Sequence, residues 1–251
     1  VPVSTIASDI FESPPKYLAV SHSTFNLPDS YAAMTLTNGD LAVFSSNRVE
    51  KRAAWTTFTT NGLFSSVVAI EDRIFVNAYD SENKLQLCEL SENIVLDFYV
   101  YVSVSSSLAT VSPLYTHNDV VDVLGFDGTD IDSLGSFTVN SANKVDLTNH
   151  AGYTHVYVGK KFDSKIITNP VDATLGAGPA TGETRGITNI VVDFRDTRSA
   201  KVNSKPFIVE ESFTGKREFR SLGYERNPQI TIEQNDPLPM QVNGLVAELI
   251  V

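Results

Sequence analysis

Apolar and polar residues alternate with a period of two along most of this chain. Alternation of this kind is typical of β-strands that bury one face. No stretch carries the period of an amphipathic helix, so we predict an all-β fold. The alternation is clearest in residues 31–44, 66–78, 98–104, 155–158, 187–194 and 229–232.

Turn-forming dipeptides separate these stretches. The strongest is Asn38-Gly39, because Asn-Gly accepts positive φ at both central turn positions and alternating residues flank it. It predicts a tight hairpin between Tyr31 and Phe44. Further turns are predicted at Asn61-Gly62, Asp127-Gly128, Ala151-Gly152, Thr214-Gly215 and Leu222-Gly223.

The strands group into regions that predict the domain organisation. After the hairpin, residues 54–79 hold three more short strands, which together suit one blade of a β-propeller. We predict propeller-blade-like antiparallel meanders together with a small β-sandwich or barrel domain. The predicted regions are 1–95 (blade strands), 96–172 (the sandwich or barrel), 173–183 (a Gly-rich linker) and 184–251 (a β segment that packs back on the first region).

The net charge is −11, from 19 Lys and Arg against 30 Asp and Glu. A strongly acidic chain does not grip phosphate backbones, because nucleic-acid affinity depends on cationic side chains that displace counterions. No apolar run is long enough to cross a membrane, and Val1–Ser4 does not read as a signal peptide. Since no methionine precedes Val1, we expect a trimmed fragment or a processed product.

Candidate chemistry is sparse, and each candidate has a structural explanation. Cys88, the single cysteine, lies in an alternating stretch and reads as a strand residue, with a reactive thiol as the alternative. Asp127, Asp130 and Asp132 are spaced as in a calcium loop, but the bidentate Glu of an EF-hand is missing. We interpret them as a solvated turn, with an incidental cation as the alternative. Gly176, Gly178 and Gly182 resemble a phosphate-binding loop, but no Gly-Lys-Ser/Thr follows and we predict a linker.

The positions of the histidines and of the tryptophan also favour structural roles. His22, His117, His150 and His155 form no zinc-binding pattern. Trp55, the single tryptophan, is predicted to be a core residue, with a sugar-stacking platform as the alternative. No nucleophile motif is present either. We therefore predict no catalytic, cofactor-binding or metal-binding residues, and a protein that is not an enzyme.

Four segments in order carry a resemblance to a known family. Residues 54–67, AWTTFTTNGLFSSV, resemble a blade motif of the tail nozzle proteins of short-tailed bacteriophages, also called tail tubular protein B. Residues 155–162 resemble a strand of that family that ends in Val-Gly, and residues 191–198 resemble its long strand that ends in Asp-Thr-Arg. Residues 236–242 resemble its near-terminal Asp-Pro-Leu-Pro segment. Because such proteins are usually longer, the chain resembles their C-terminal portion.

The resemblance implies a structural protein of the phage tail, located in the virion. Such proteins form a ring, usually sixfold, that conducts DNA without binding it tightly and contacts an adaptor and fibres. An acidic lumen would agree with the charge of this chain. The alternative is a receptor- or glycan-binding β module of a phage tail, which would need exposed aromatic side chains in a groove.

Overall fold

A computed structural model shows a chain that is almost entirely β-structure, as the sequence predicts. Two compact units divide it, residues 1–93 and 94–251. Apart from strands, the described residues contain one short 3-10 helix, Ile10–Glu12. The structure describes residues 8–22, 29–47, 49, 51–60, 62–80, 83–91, 94–128, 130–150, 152–170, 174–175, 178–179, 184–221 and 223–250.

The first unit contains two antiparallel meanders of propeller-blade size. The four-stranded sheet runs β1 (Pro15–Ser21), β2 (Ser30–Leu36), β3 (Leu41–Asn47) and β4 (Arg52–Phe58). The three-stranded sheet runs β5 (Leu63–Ile70), β6 (Arg73–Tyr79) and β7 (Leu85–Glu89). The predicted strands of residues 54–79 are therefore confirmed, but they belong to two sheets, because β4 pairs with β3 and β5 pairs with β6. Alternation identifies strands without identifying their partners.

The hairpin between β2 and β3 is confirmed with a different turn. Gly39 has φ of 95°, whereas Asn38 keeps a negative φ. The Gly39 amide donates to the Leu36 carbonyl at 3.1 Å, and the Leu36 amide donates to the Asp40 carbonyl at 2.8 Å. The Asn38 side chain instead bonds the Asp40 carboxylate and accepts from the Asp40 amide. Side-chain capping thus replaces the second positive-φ residue that the sequence predicts.

The two sheets of the first unit share one apolar core. Ala33, Leu41 and Val43 from the four-stranded sheet pack against Ile74 and Val76 from the three-stranded sheet. Each of these side chains is less than a tenth exposed. Burial of their apolar surface is what holds the two meanders together.

The second unit begins with a six-stranded sheet that curls into a half-barrel. Its strand order is β11-β10-β13-β8-β9-β12. Valines dominate the inner face, including the fully buried Val121, Val123, Val156 and Val158. The strands are β8 (Asp97–Ser105), β9 (Leu108–Thr110), β10 (Val120–Phe126), β11 (Ile131–Thr138), β12 (Lys144–Asp146) and β13 (His155–Lys160).

A second sheet in the same unit is built on a long hairpin. Asn203 and Ser204 form its turn, with φ of 43° and 67°. Phe194 and Phe207 stack across it with ring centroids 5.3 Å apart. Its strands are β14 (Ser164–Ile167), β17 (Arg185–Val202), β18 (Lys205–Arg220), β19 (Tyr224–Glu225), β20 (Thr231–Gln234) and β21 (Gln241–Ile250). Strands β15 (Thr174–Leu175) and β16 (Gly178–Pro179) pair with each other.

One predicted turn is wrong. Thr214-Gly215 lies inside β18, where Gly215 has φ of 145° and pairs with Phe194. The ladder shifts register next to this pair, and Asp196 on the facing strand has φ of 45°. The glycine therefore marks an irregularity within a strand, which is the other common role of an isolated glycine in an alternating stretch.

The predicted regions relate to the two units as follows. Regions 96–172 and 184–251 both fall within the second unit, and β14 of the former pairs with β20 of the latter. That residues 184–251 pack back on the first region stays a prediction. Most of the predicted linker, including Gly176 and Gly182, lies outside the described residues, as do Asn61, Ala151 and Leu222 of the predicted turns.

Candidate functional site

The three-stranded sheet of the first unit exposes large apolar side chains on the outer faces of its two edge strands. In β5, Val67 and Ala69 face the core, so Val68 and Ile70 point away from it. Leu85 and Leu87 of β7 continue this face, and Leu87 is 72% exposed. We call these four residues, Val68, Ile70, Leu85 and Leu87, the β5–β7 face. Arg73, Phe75 and Asn77 of the middle strand β6 lie between them on the same face, and Arg73 forms an ion pair with Glu89. Large apolar side chains left exposed on one sheet face make that face a candidate surface for a partner.

The acidic turn between β10 and β11 has a structural role at Asp132. Its carboxylate accepts from Arg198 Nη2 at 3.0 Å and from the Tyr153 hydroxyl at 3.0 Å. Arg198 also donates to the Ile131 carbonyl at 2.6 Å. Asp127 instead accepts from the Asp130 amide at 2.8 Å within the turn. The turn predicted at Asp127-Gly128 is therefore present, and Arg198 ties the half-barrel to β17.

The ring of Tyr153 lies directly over Gly125 in β10. A Cβ at that glycine would come within 2.6 Å of the ring, so only glycine lets the tyrosine pack there. Burial raises the pKa of the Tyr153 hydroxyl, and its hydrogen bond to Asp132 acts in the same direction. Tyr153 is thus fixed as a hydrogen-bond donor that orients Asp132.

The predicted metal and thiol candidates do not come together. In the part of the chain that the structure describes, no group of three or more His, Cys, Asp or Glu side chains is placed to hold a metal ion. Cys88 lies in β7 and packs at the edge of the apolar core, as predicted for a strand residue. His150 packs edge-on against Phe137, and His155 lies in β13. His22 and His117 lie at exposed positions outside the strands.

Trp55 lies on the outer face of the four-stranded sheet, so its placement in a buried core is wrong. Its indole packs between Phe11, edge-on at 4.8 Å, and Phe44 at 4.9 Å. The side chain is half-buried, and its Nε1 is buried without a hydrogen-bond partner. The helical turn that carries Phe11 covers a sheet face that sequence alternation marks as solvent-facing. That contact spans more than forty residues, so no local pattern reveals it.

An aromatic ladder runs across the outer face of the half-barrel. Val100, Val102 and Val104 of β8 point into the valine core, so Tyr99 and Tyr101 lie on the opposite face. There Tyr99 and Tyr157 pack against a second apolar cluster, the buried Ile94, Leu96 and Leu124. Tyr101 stacks on His155 with centroids 5.0 Å apart and an interplanar angle of 12°, and lies 4.7 Å from the Tyr157 ring. Tyr99 meets Tyr157 at 5.7 Å. Burial raises the pKa of the Tyr157 hydroxyl. We call these four residues, Tyr99, Tyr101, His155 and Tyr157, the aromatic ladder.

A shallow groove of about 610 Å³ adjoins the exposed end of this ladder. Tyr101, 48% exposed, lies along the groove. The remaining lining is mostly hydroxyl groups of the three neighbouring strands and their turn, together with one lysine. These residues are Ser103, Ser105, Ser106, Thr110 and Lys144, with Val102 and Leu108. We call this feature the Tyr101 groove.

Asp97, at the start of β8, is a carboxyl group whose pKa is clearly raised. Burial raises the pKa of Asp97 to about 6. Lys160 of β13 is paired with Asp97 across the two strands. Its ammonium group, however, donates to the Val120 carbonyl and lies over the Tyr115 ring. The Asp97 carboxylate is therefore desolvated without a compensating cation.

The sequence carried a usable signal for the ladder. Tyr99-x-Tyr101 and His155-x-Tyr157 place aromatic residues at alternate positions, which share one face of a strand. What the sequence did not contain is the pairing of β8 with β13. The Tyr101 groove depends on that pairing, on β9 and on β12, and so was not predicted.

No protein-family model matches the chain, and no curated protein matches it. The resemblance to tail nozzle proteins therefore depends on the sequence motifs alone. In the described residues, no helix is long and apolar enough to span a membrane.

Proposed function

We propose that this chain is a structural component of a bacteriophage tail, part of a ring-shaped nozzle that conducts DNA and anchors other tail proteins. The proposal includes a virion location, assembly into a ring, contacts with an adaptor and fibres, and no enzymatic activity. The ordered sequence motifs support the resemblance to that family, and the all-β meanders agree with what the resemblance implies.

The observation that best supports a role in assembly is the exposure of large apolar side chains on the β5–β7 face. Leu87 is 72% exposed and Ile70 is 59% exposed, although both are large apolar residues on a regular sheet. Leaving such surface in water forgoes about 25 cal/mol for each Å² that a partner would cover. Exposed apolar surface on one sheet is expected of a subunit that is completed by its neighbours.

Transit of DNA is supported by charge. With a net charge of −11, the surface repels the phosphate backbone on average, so DNA can pass without being held. Only groups near the lumen act at physiological ionic strength, because exposed charges are screened over about 8 Å. We expect the acidic residues to crowd the inner wall of the ring.

The test is assembly of the purified chain, measured by sedimentation velocity and negative-stain imaging across a wide range of concentration. We expect closed rings, usually sixfold, and we expect Leu87→Asp to abolish them by placing a charge in the interface. Val49→Asp is the matched control, because Val49 is 91% exposed in a turn outside this face. A chain that stays monomeric at every concentration, alone and with the adaptor, would overturn the proposal.

A second measurement addresses the conduit. Duplex DNA should not bind the ring even at low salt, where electrostatic attraction is strongest. Binding with a steep salt dependence would contradict a repulsive channel while leaving the assembly result intact.

A further inference from the structure

The outer face of the half-barrel continues from aromatic to hydroxyl-bearing residues across four strands. The backbone pairing of β8 with β13 places Tyr101 beside Tyr157 and Ser103 beside His155. On the other side of β8, the pairing of Ser105 with Leu108 and of Thr110 with Lys144 extends the same face onto β9 and β12. The Tyr101 groove is therefore formed mostly by residues of paired strands, and the backbone pairing fixes their side-chain positions.

The chemistry of the groove is mixed in a specific way. Its lining combines one aromatic ring, four side-chain hydroxyl groups, one lysine and two aliphatic side chains. The Lys144 ammonium forms no ion pair among the described residues, so its donors remain available. Serine and threonine hydroxyls both donate and accept hydrogen bonds.

The contacts of Tyr101 within the aromatic ladder leave part of its side chain exposed. Tyr101 pairs directly with Tyr157 across the two strands, with ring centroids 4.7 Å apart, and such cross-strand aromatic contacts stabilise a sheet. The Tyr101 ring is also stacked on His155, and the residue is still 48% exposed. Tyrosine side chains with one packed and one wet side are enriched at interfaces, and Tyr101 is placed in this way.

We propose that the Tyr101 groove binds an oligosaccharide. A sugar ring presents a face of C–H groups and a rim of hydroxyls. The C–H face would stack on Tyr101, and the rim would exchange hydrogen bonds with Ser103, Ser105 and Thr110. Lys144 would donate to a ring hydroxyl or to the carboxylate of a uronic acid.

The test uses three defined hexasaccharides, cellohexaose, chitohexaose and hexagalacturonate, with the full chain. Saturation-transfer NMR detects which sugar protons contact the protein, and calorimetry gives the dissociation constant. We expect at least one hexasaccharide to bind, with the strongest saturation transfer on ring C–H protons. Lys144→Ala should weaken hexagalacturonate more than the two neutral sugars.

Two variants separate stacking from folding. Tyr101→Ala should weaken binding by about tenfold or more, whereas Tyr101→Phe should retain it, since stacking does not need the hydroxyl. Thr110→Tyr should abolish binding by filling the groove, and the strand tolerates it because tyrosine favours β-structure. Tyr17→Ala is the matched control, because Tyr17 is an exposed tyrosine of β1 in the other unit.

Each other outcome overturns the proposal. Failure of all three hexasaccharides to bind would show that the groove is not a saccharide site. Binding that survives both Tyr101→Ala and Thr110→Tyr would place the saccharide elsewhere. If the groove variants changed only the sedimentation of the chain, the groove would be an interface with a second copy.

Discussion

Replacement of Asp97 by asparagine should stabilise the second unit at neutral pH. Burial raises the pKa of Asp97 from its ordinary 3.8 to about 6. Above pH 6 the carboxyl is ionised in both the folded and the unfolded chain, but only the folded chain holds that charge away from water. Asparagine keeps the shape and removes the charge.

The magnitude follows from the raised pKa. Each unit of pKa corresponds to 1.36 kcal/mol, so a rise from 3.8 to about 6 represents about 3 kcal/mol at pH 7. Because the side chain keeps some contact with water, we expect Asp97→Asn to gain about 2 kcal/mol. Wild-type stability relative to the variant is highest below about pH 4, where the carboxyl is protonated in both states. It is lost as the pH rises through about 6.

Hydrogen exchange measured by mass spectrometry suits this prediction, since a chain of two units need not unfold in one step. Wild type and variant are compared at the same pH, and peptides from β8 and β13 should exchange more slowly in Asp97→Asn at pH 7 but equally at pH 4. Asp146→Asn is the matched control on the same sheet. Hydrogen bonds from Thr148 lower the pKa of Asp146, so its loss should bring no gain. Equal protection at pH 7, or a gain that persists at pH 4, would refute the reasoning.

Two further predictions concern packing. Trp55→Ala should lower the free energy of unfolding of the first unit by about 2–3 kcal/mol. This is less than the ~3–5 kcal/mol of a fully buried aromatic residue, because the indole is half-buried between Phe11 and Phe44. Urea denaturation followed by circular dichroism measures the loss, and a loss below about 0.5 kcal/mol would mean that the Phe11 contact does not hold in solution. Arg198→Met should lower the free energy of unfolding of the second unit by about 1–2 kcal/mol, since it removes the hydrogen bonds to Asp132 and to the Ile131 carbonyl. Hydrogen exchange should become faster in β11 and β17. Unchanged exchange in both strands would show that Arg198 does not join the two sheets.

Much of the fold could be predicted from the sequence because strand alternation is a local signal. The strands around Tyr101, Val123 and Tyr157 were predicted where the structure has them. Two kinds of error have a common physical origin. Asn38 has a negative φ and its side chain bonds the Asp40 carboxylate and amide, and Gly215 lies within a strand beside a register shift. In both cases the dipeptide alone does not determine the conformation.

The candidate site was less predictable than the fold. The Asp127, Asp130 and Asp132 spacing suggested a turn, which is present, but the bonds of Asp132 go to Arg198, far along the chain. The Tyr101 groove depends on the order of strands in a sheet, which a period of two does not encode. Sequence periodicity identifies which residues share a strand face, and only the pairing shows which faces become one surface.

The long hairpin has a mechanical consequence. At about 3.3 Å per residue, the 18 residues of β17 follow a path of about 60 Å, and β18 and β21 are hydrogen-bonded to its two sides. A force along the strand loads many of these bonds at once, in shear. A force applied at the Asn203-Ser204 turn loads them one pair at a time and peels the ribbon open. The sheet should therefore withstand tension along β17 far better than tension across it, a directional strength suited to an element that transmits force along a single axis.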